Sequence, residues 1–177
     1  MRETRVRRRA SLVEMRVDQL TTDPLTNMPI LILKDESGEE SLPIWIGLIE
    51  ASAIATELEK IALDRPMTHD LLKNVITECG GRVDRVEITD VKDNTFFATI
   101  FVTRPGKRCL QLDARPSDAI ALALRSGAKI CVARRVIDRT RHVDLGMPPI
   151  EADASEAARL RDLLEGLSDD EFGKWKM

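Results

Sequence analysis

The stretch LDARPSDAIALALRSGAKICVA, residues 112–133, decides the fold. Pro116 ends a strand, and the helix predicted over 117–126 is apolar on almost every side, so it must be buried on most sides. Gly127 ends that helix, and the apolar run 129–133 follows as a buried strand. A strand, a buried helix and a buried strand in immediate succession predict a domain that mixes sheet and helix around this helix.

Working outward, the hydrophobic pattern predicts two similar units of three strands and one helix. The first has strands over 12–20, 28–34 and 41–46, and a helix that begins after Gly47. The second has strands over 83–91, 95–104 and 108–114, followed by the helix 117–126. A shift of 68 positions pairs Glu50 with Asp118, each an acid in the first turn of its helix. The pattern favours an internal duplication, although apolar matches also arise by chance.

A further helix is predicted between the two units. It begins after Pro66 with Thr68 as N-cap and ends at Gly80-Gly81. Its apolar residues are expected to face inward: Leu71, Leu72, Val75, Ile76 and Cys79. The predicted fold class is α+β. Two strand-meander-plus-helix units form a bent, mixed or antiparallel sheet packed with helices, and an amphipathic helix completes the C-terminus.

The length of 177 residues fits one domain of ordinary size. Residues 1–11 are expected to form a basic, disordered extension and residues 12–150 the α+β domain, in which 134–150 look irregular. Residues 151–177 are expected to form a C-terminal helix and tail that pack on the same domain.

Composition excludes several classes of protein. No apolar run approaches the roughly 20 residues that cross a bilayer, and the N-terminus lacks a secretory apolar region, so a cytoplasmic protein without a membrane partner is expected. The three cysteines match neither a disulfide framework nor a CxxC site. The two histidines exclude a multi-histidine metal site within one subunit. No P-loop or GxGxxG motif is present, so no nucleotide cofactor is expected.

Charge is distributed unevenly along the chain, whose net charge is −3. Residues 125–142 carry six cations against Asp138. Such a block can bind a polyanion even when the whole protein is acidic, and a solvated surface is the alternative interpretation. The candidate nucleic-acid-binding residues are therefore Arg125, Lys129, Arg134, Arg135, Arg139 and Arg141.

The chemistry is expected at the strand-to-helix corner around Pro116. Asp113 and Arg115 are two apart on a strand and share a face, and Asp118 opens the buried helix. Two carboxylates and a guanidinium that converge there suit a phosphate or metal–phosphate site. The alternative is structural, with Asp118 at the helix dipole and Arg115 paired with Asp113. His69 is a surface residue in one interpretation, and a general base only if the fold brings it to this corner.

Three motifs resemble the bacterial bifunctional nuclease family: LDARPSDAIALALRSGAKI at 112–130, LPIWIGLIEASAIATEL at 42–58 and RPMTHDLL at 65–72. The ending EFGKWKM is similar to the usual C-terminal tail of that family. The resemblance covers about residues 12–177 and implies a compact α+β fold, DNase and RNase activity, and an oligomer, commonly a dimer. The residues that match its motifs and could do chemistry are Glu50, His69, Asp70, Asp113, Arg115, Ser117 and Asp118.

The sequence therefore predicts a homodimeric nuclease that hydrolyses DNA and RNA with little base preference. Asp113 and Asp118, with Glu50, would position the attacking water or a divalent cation such as Mg²⁺ or Mn²⁺. Arg115 would stabilise charge on the phosphate, and the basic block would follow the nucleic-acid backbone. The alternative is a non-enzymatic binding or scaffold protein in which the Asp113, Arg115 and Asp118 corner is purely structural.

Overall fold

The computed structural model describes residues 11–142. The expectations for residues 1–10 and for the C-terminal helix and tail after 142 lie outside this range. The described chain forms seven strands and four helices: β1 Leu12–Thr22, β2 Pro29–Asp35, β3 Ser41–Trp45, α1 Leu48–Leu58, α2 Thr68–Glu78, β4 Arg82–Lys92, β5 Thr95–Thr103, β6 Leu110–Ala114, α3 Pro116–Ser126, β7 Lys129–Ala133 and α4 Arg134–His142.

The strands form one mixed sheet in the order β3-β2-β1-β7-β4-β5-β6. Each three-stranded meander is antiparallel, and β7 joins the two meanders, antiparallel to β1 and parallel to β4. The predicted α+β class, with two meander-plus-helix units in a mixed sheet, is confirmed.

The two units match closely in their helices. The helix of the first unit, α1, runs from Leu48 to Leu58 after Gly47 as N-cap. The helix of the second unit, α3, runs from Pro116 to Ser126 after Arg115 as N-cap. The first residues, the last residues and the N-caps of α1 and α3 each differ by the shift of 68 positions found in the sequence. Gly47 and Arg115 are therefore equivalent positions, as are Glu50 and Asp118.

The core lies between one face of the sheet and the helices, with α3 at its centre. Six of the eleven residues of α3 are apolar, and five of these are fully or almost fully buried: Ala119, Ile120, Ala121, Leu122 and Ala123. They pack with strand residues that alternate toward the same face, among them Leu31, Leu33, Val86, Ile88, Ile100 and Val132. The predicted burial of α3 is confirmed.

Helix α2 differs from the prediction in its cap and in its exposed face. Its N-cap is Met67, not Thr68, and the Met67 N–H donates to Asp70 Oδ2 at 2.9 Å. Leu71, Leu72 and Val75 are exposed, and no residue of α2 is fully buried. The expectation that this apolar stripe faces inward was wrong for all of its members except Ile76, which packs against the core. The half-buried face of α2 is otherwise polar and carries His69, Asp70 and Lys73.

Residues 134–142 form helix α4, where an irregular segment was expected. The segment has few apolar residues, so its helical period was not evident in the sequence. Val136 and Ile137 are nonetheless almost completely buried in the core, and Thr140 Oγ1 donates to the Val136 carbonyl oxygen at 2.7 Å. Two buried side chains therefore suffice to anchor a helix whose other residues are mainly polar. Within the described residues, no helix is long and apolar enough to cross a membrane.

The central position of α3 makes a stability prediction. Leu122→Ala should lower the free energy of unfolding by about 2–5 kcal/mol, because it leaves a cavity at a fully buried position of α3. Leu25→Ala, at the largely exposed Leu25, should change it by less than about 0.5 kcal/mol. Urea unfolding of the three proteins at one protein concentration measures both values. A Leu122→Ala effect as small as that of Leu25→Ala would contradict the packing described above.

Candidate functional site

The corner between β6 and α3 is organised by Arg115. Arg115 Nε donates to Asp118 Oδ2 at 2.7 Å, and Arg115 Nη2 donates to Asp118 Oδ1 at 3.2 Å. Pro116 stands at the first position of α3, where its fixed φ suits the start of a helix. The strand end, the proline and the acid in the first turn together give a bidentate arginine–carboxylate pair.

The same guanidinium also binds the first unit. Arg115 Nη1 donates to Glu50 Oε1 at 2.8 Å. Glu50 and Asp118 lie at equivalent positions in the first turns of α1 and α3. One arginine therefore joins the two equivalent acids of the two units, a contact that neither unit forms alone.

Gly47 allows Glu50 to adopt this position. A Cβ atom at residue 47 would lie 2.2 Å from Glu50 Oε2, so a larger residue there would displace the Glu50 carboxylate. The absence of a side chain at the N-cap of α1 is thus linked to the orientation of the acid that binds Arg115.

His69 completes the cluster from α2. Its Nε2 atom lies 3.2 Å from Asp118 Oδ1, and its side chain is 14% exposed. A role of His69 as general base was expected only if the fold brings it to the strand–helix corner. The contact with Asp118 places His69 at that corner. We call Glu50, His69, Arg115 and Asp118 the corner cluster.

The contacts within the cluster favour the charged forms of Asp118 and Arg115. Partial burial opposes ionisation of Asp118, but hydrogen bonds from Arg115 and His69 outweigh it and hold the pKa of the Asp118 carboxyl below its ordinary value. The hydrogen bond with Asp118 in turn raises the pKa of the Arg115 guanidinium. Because an ionised carboxylate only accepts hydrogen bonds, the proton of a neutral His69 ring lies on Nε2, and Nδ1 keeps its lone pair.

Asp113 lies outside the corner cluster. It is exposed on β6 opposite Thr99, whereas its neighbours Leu112 and Ala114 stand opposite the buried Ile100 and Ala98. Its side chain therefore leaves the sheet on the face away from the core. Within residues 11–142, no hydrogen bond or ion pair joins Asp113 to Arg115 or Asp118. The Asp113–Arg115 pair that the sequence suggested is replaced by pairs from Arg115 to Glu50 and Asp118.

The corner cluster does not have the form of a metal site. Across the described part of the chain, no three His, Cys, Asp or Glu side chains are grouped so that they could hold a metal ion. Both cluster carboxylates accept hydrogen bonds from Arg115 instead. The Arg115 guanidinium occupies the place between two carboxylates that a divalent cation would need, so the residues as arranged do not fit such an ion.

Arg125 does not belong to the basic surface predicted for residues 125–142. Its side chain is 2% exposed. Its Nε donates to Asp70 Oδ1 at 2.7 Å, Nη1 to the Ala121 carbonyl oxygen at 3.1 Å and Nη2 to the Ala53 carbonyl oxygen at 2.9 Å. A guanidinium buried in this way cannot contact a nucleic-acid backbone.

Two other cations of this block are paired at different places in the fold. Lys129 Nζ lies 2.7 Å from Glu14 Oε2, and the Arg134 guanidinium pairs with the Glu40 carboxylate. Arg141 belongs to α4, but its side chain lies outside the described ones. These positions divide the predicted block into separate parts.

Arg135 and Arg139, the remaining described cations of this block, form a patch with Lys92 around Asp90 at the end of β4. Arg139 Nη1 lies 2.7 Å from Asp90 Oδ1, Arg135 Nε lies 4.0 Å from the same atom, and Lys92 Nζ lies 3.6 Å from Asp90 Oδ2. All three cations are exposed. We call Lys92, Arg135 and Arg139 the basic patch, which carries three positive charges against one carboxylate.

The backbone of Asp90, around which the basic patch lies, is two strands away from the backbone of Ala114, which precedes Arg115 of the corner cluster. Asp90 stands opposite Phe97 on β5, and the next residue, Ala98, stands opposite Ala114, which precedes Arg115. Two strand spacings amount to about 10 Å. Sequence reasoning missed Lys92 because it lies before a turn, far along the chain from α4.

The chain is similar to a known domain family and to several known proteins. The model of the bifunctional nuclease domain matches residues 31–144. An uncharacterised protein of Mycobacterium tuberculosis (strain ATCC 25618 / H37Rv) is 34% identical over 163 residues, which cover 90% of this chain and 97% of that protein.

Similarity to plant proteins is lower and partial. Bifunctional nuclease 1 of Arabidopsis thaliana is 28% identical over 133 residues, 72% of this chain and 41% of the plant protein. Bifunctional nuclease of Oryza minuta is 28% identical over 109 residues, 60% of this chain and 33% of that protein. Residues 31–144, which the family model matches, contain all four residues of the corner cluster and the whole basic patch. The chain belongs to the bifunctional nuclease domain family.

Proposed function

We propose that this protein is a nuclease that hydrolyses phosphodiester bonds of DNA and RNA with little base preference, and that the corner cluster is its active site. The observation that carries the proposal is the contact of His69 with the ionised Asp118, which also binds Arg115. A base, an oriented carboxylate and an exposed cation are thereby brought together in a chain that belongs to a nuclease family.

Arg115 is proposed to bind the phosphate. Its guanidinium has five N–H donors, and three of them bind Asp118 and Glu50. One N–H on each terminal nitrogen is left for phosphate oxygens, and the side chain is 65% exposed. The N-terminus of α3, directly beside it, also favours an anion. Exposed ion pairs contribute only about 0–1 kcal/mol to stability, so fold stability alone gives little reason for this arrangement.

His69 is proposed to be the general base. Because Nε2–H donates to Asp118, Nδ1 is the nitrogen that accepts a proton from the attacking water. The water oxygen then forms a bond to phosphorus, and Arg115 donates to the oxygens on which negative charge develops. The bond from phosphorus to the leaving oxygen breaks, and the proton held on His69 is returned to that oxygen. Asp118 stabilises the imidazolium between these two transfers.

The basic patch is proposed to hold the nucleic-acid backbone beside the cleavage site. Lys92, Arg135 and Arg139 are exposed around Asp90, whose backbone lies two strands, about 10 Å, from that of Ala114, the residue before Arg115. With a rise of about 3.4 Å per nucleotide in one strand, this distance corresponds to roughly three nucleotides. Contacts of cations with phosphates carry no base information, which agrees with low base preference.

A non-enzymatic binding or scaffold protein is the second candidate. It is favoured by the charge of the corner cluster, where Glu50 and Asp118 outnumber Arg115 and leave one net negative charge when His69 is neutral. In that case Arg115 would only join the two units. A nuclease would cleave a phosphodiester bound at the corner cluster, whereas a binding or scaffold protein would leave it intact.

Nuclease activity should depend on His69 and much less on Asp113. His69→Ala should lower kcat for cleavage of single-stranded DNA and RNA by about 10²–10⁴-fold, because the general base is removed. Asp113→Asn should stay within a few-fold of the wild type, because Asp113 makes no contact with the cluster among the described residues. Gel-based cleavage under single-turnover conditions measures both. Loss of cleavage in Asp113→Asn with retention in His69→Ala would return the catalytic role to Asp113.

The same assay with and without EDTA tests the divalent cation expected from the sequence. That cation stays a prediction, and none of the steps above depends on it. Cleavage that persists in EDTA is expected if the side chains alone perform the reaction. Cleavage that is lost in EDTA and restored by Mg²⁺ or Mn²⁺ would show that the mechanism proposed here is incomplete.

Binding of nucleic acid should depend on salt and on the basic patch. The double variant Arg135→Gln/Arg139→Gln removes two exposed cations and should reduce the slope of log Kd against log salt by about two for duplex DNA. The matched double variant Lys107→Gln/Arg108→Gln removes two exposed cations beyond the far end of β5 and should leave the slope unchanged. Fluorescence anisotropy on two unrelated sequences measures the slopes. Equal slopes for both double variants would remove the patch from the proposal.

The protein is further proposed to be a homodimer that uses the exposed stripe of α2. Leu71, Leu72 and Val75 are exposed there, as are Leu48 and Ile49 at the start of α1. Exposed apolar side chains that neighbour one another on a helix, as Leu71, Leu72 and Val75 do, are characteristic of contact surfaces.

The dimer is tested by light scattering at micromolar concentration. The wild type should have twice the mass of one chain, and Leu72→Lys should have the mass of one chain, because a buried ammonium group opposes association. Leu25→Lys, in an exposed turn, should remain dimeric. A monomeric wild type would contradict the dimer, and a dimeric Leu72→Lys would place the contact elsewhere.

A further inference from the structure

The one cation buried from solvent in the described chain, Arg125, contacts all three helices that supply the corner cluster. It belongs to α3, its Nη2 binds the Ala53 carbonyl oxygen of α1, and its Nε binds Asp70 of α2. Its Nη1 binds the Ala121 carbonyl oxygen in its own helix. A planar guanidinium holds partners at fixed angles, so these contacts fix three backbones relative to one another.

Each contact of Arg125 lies close in the chain to a residue of the cluster. Ala53 is three residues after Glu50, Asp70 directly follows His69, and Ala121 is three residues after Asp118. The second oxygen of Asp70 accepts the Met67 N–H at the start of α2. Asp70 therefore fixes both the first turn of the helix that carries His69 and the distance of that turn from α3.

Stability alone does not account for this buried charge. Replacing a buried ion pair with apolar residues of similar volume is often neutral or stabilising. One turn before Arg125 in α3, Ala121 and Leu122 are apolar and almost completely buried, so a long apolar side chain would suit the same space. A guanidinium differs from such a side chain in the directions that it imposes on its partners.

We propose that Arg125 is a positioning residue that sets the contact between His69 and Asp118. This inference rests on the proposed function for its catalytic consequence, but the contact itself can be measured without cleavage. Among the described residues, Arg125 makes no hydrogen bond or ion pair with the corner cluster. It acts through Asp70 and the backbones of α1 and α3.

The readout is the hydrogen-bonded Nε2 proton of His69 in ¹⁵N-labelled full-length protein. An imidazole N–H that donates to a carboxylate and is shielded from solvent gives a downfield NMR signal at low temperature, whereas a solvent-exposed one is lost by exchange. The chain has two histidines, so a His142→Gln background assigns the signal to His69.

Methionine has a side chain of similar length to arginine but lacks the planar guanidinium. The Arg125→Met variant should lose the His69 signal, while circular dichroism should show that it is folded. Its kcat for cleavage should fall about a hundredfold, as expected for a misplacement of about 1 Å at a reacting group, and the salt-dependent Kd should be unchanged. Arg85→Met is the matched control. Arg85 is ion-paired to Asp84 and Glu87 on β4 and touches no cluster residue, so this variant should keep the signal and the wild-type kcat.

If Arg125→Met does not fold, Arg125→Lys keeps the buried positive charge but lacks the planar fork, and the same loss of signal is expected. A His69 signal retained in a folded Arg125 variant would overturn the proposal, as would its absence from the wild type. A signal that depends on Arg125 in a protein without nuclease activity would support positioning and contradict the proposed function. The two failures are therefore distinguishable.

Discussion

The guanidinium of Arg125, buried among three helices, is the constraint on which the rest of the site depends. Taking a charged group out of water is costly unless it is hydrogen-bonded, and here each of the three nitrogens donates to a different helix. The directions of these bonds restrict how α1, α2 and α3 can pack. Glu50, His69 and Asp118 stand on those helices, so the geometry of the cluster follows from the satisfaction of one buried charge.

The duplicated architecture explains why two acids meet at one arginine. Equivalent helices start at equivalent positions, and the first-turn acid of each points to the same place. The equivalence ends at the N-caps, where one unit has Gly47 and the other Arg115. Glycine leaves room for the Glu50 carboxylate, and arginine supplies the cation that both acids bind. The difference at one position thus gives a nearly symmetric scaffold an asymmetric cluster of one arginine and two acids.

Sequence patterns predicted the parts of the fold that hydrophobic periodicity controls: the seven strands, the buried α3 and the duplication. They failed where a few contacts decide the outcome. The inward face of α2 is polar at His69 and Asp70 because both have partners on α3, which lies some fifty residues away in the chain. Arg125 was assigned to the surface because charge is usually solvated, and only its carbonyl partners show otherwise. Asp113 and Arg115 share a strand face by spacing, yet the long arginine side chain turns toward Asp118 and Glu50.

Hydrolysis of a small phosphodiester tests the central claim most directly. The claim is that the corner cluster acts on phosphate itself. Bis(p-nitrophenyl) phosphate has no base or sugar, so its turnover does not depend on the basic patch. The account predicts release of p-nitrophenolate by the wild type in EDTA, and its loss in a folded Arg115→Met variant. A wild-type rate equal to the buffer blank, with or without Mg²⁺ or Mn²⁺, would contradict the account, as would an Arg115→Met rate equal to that of the wild type.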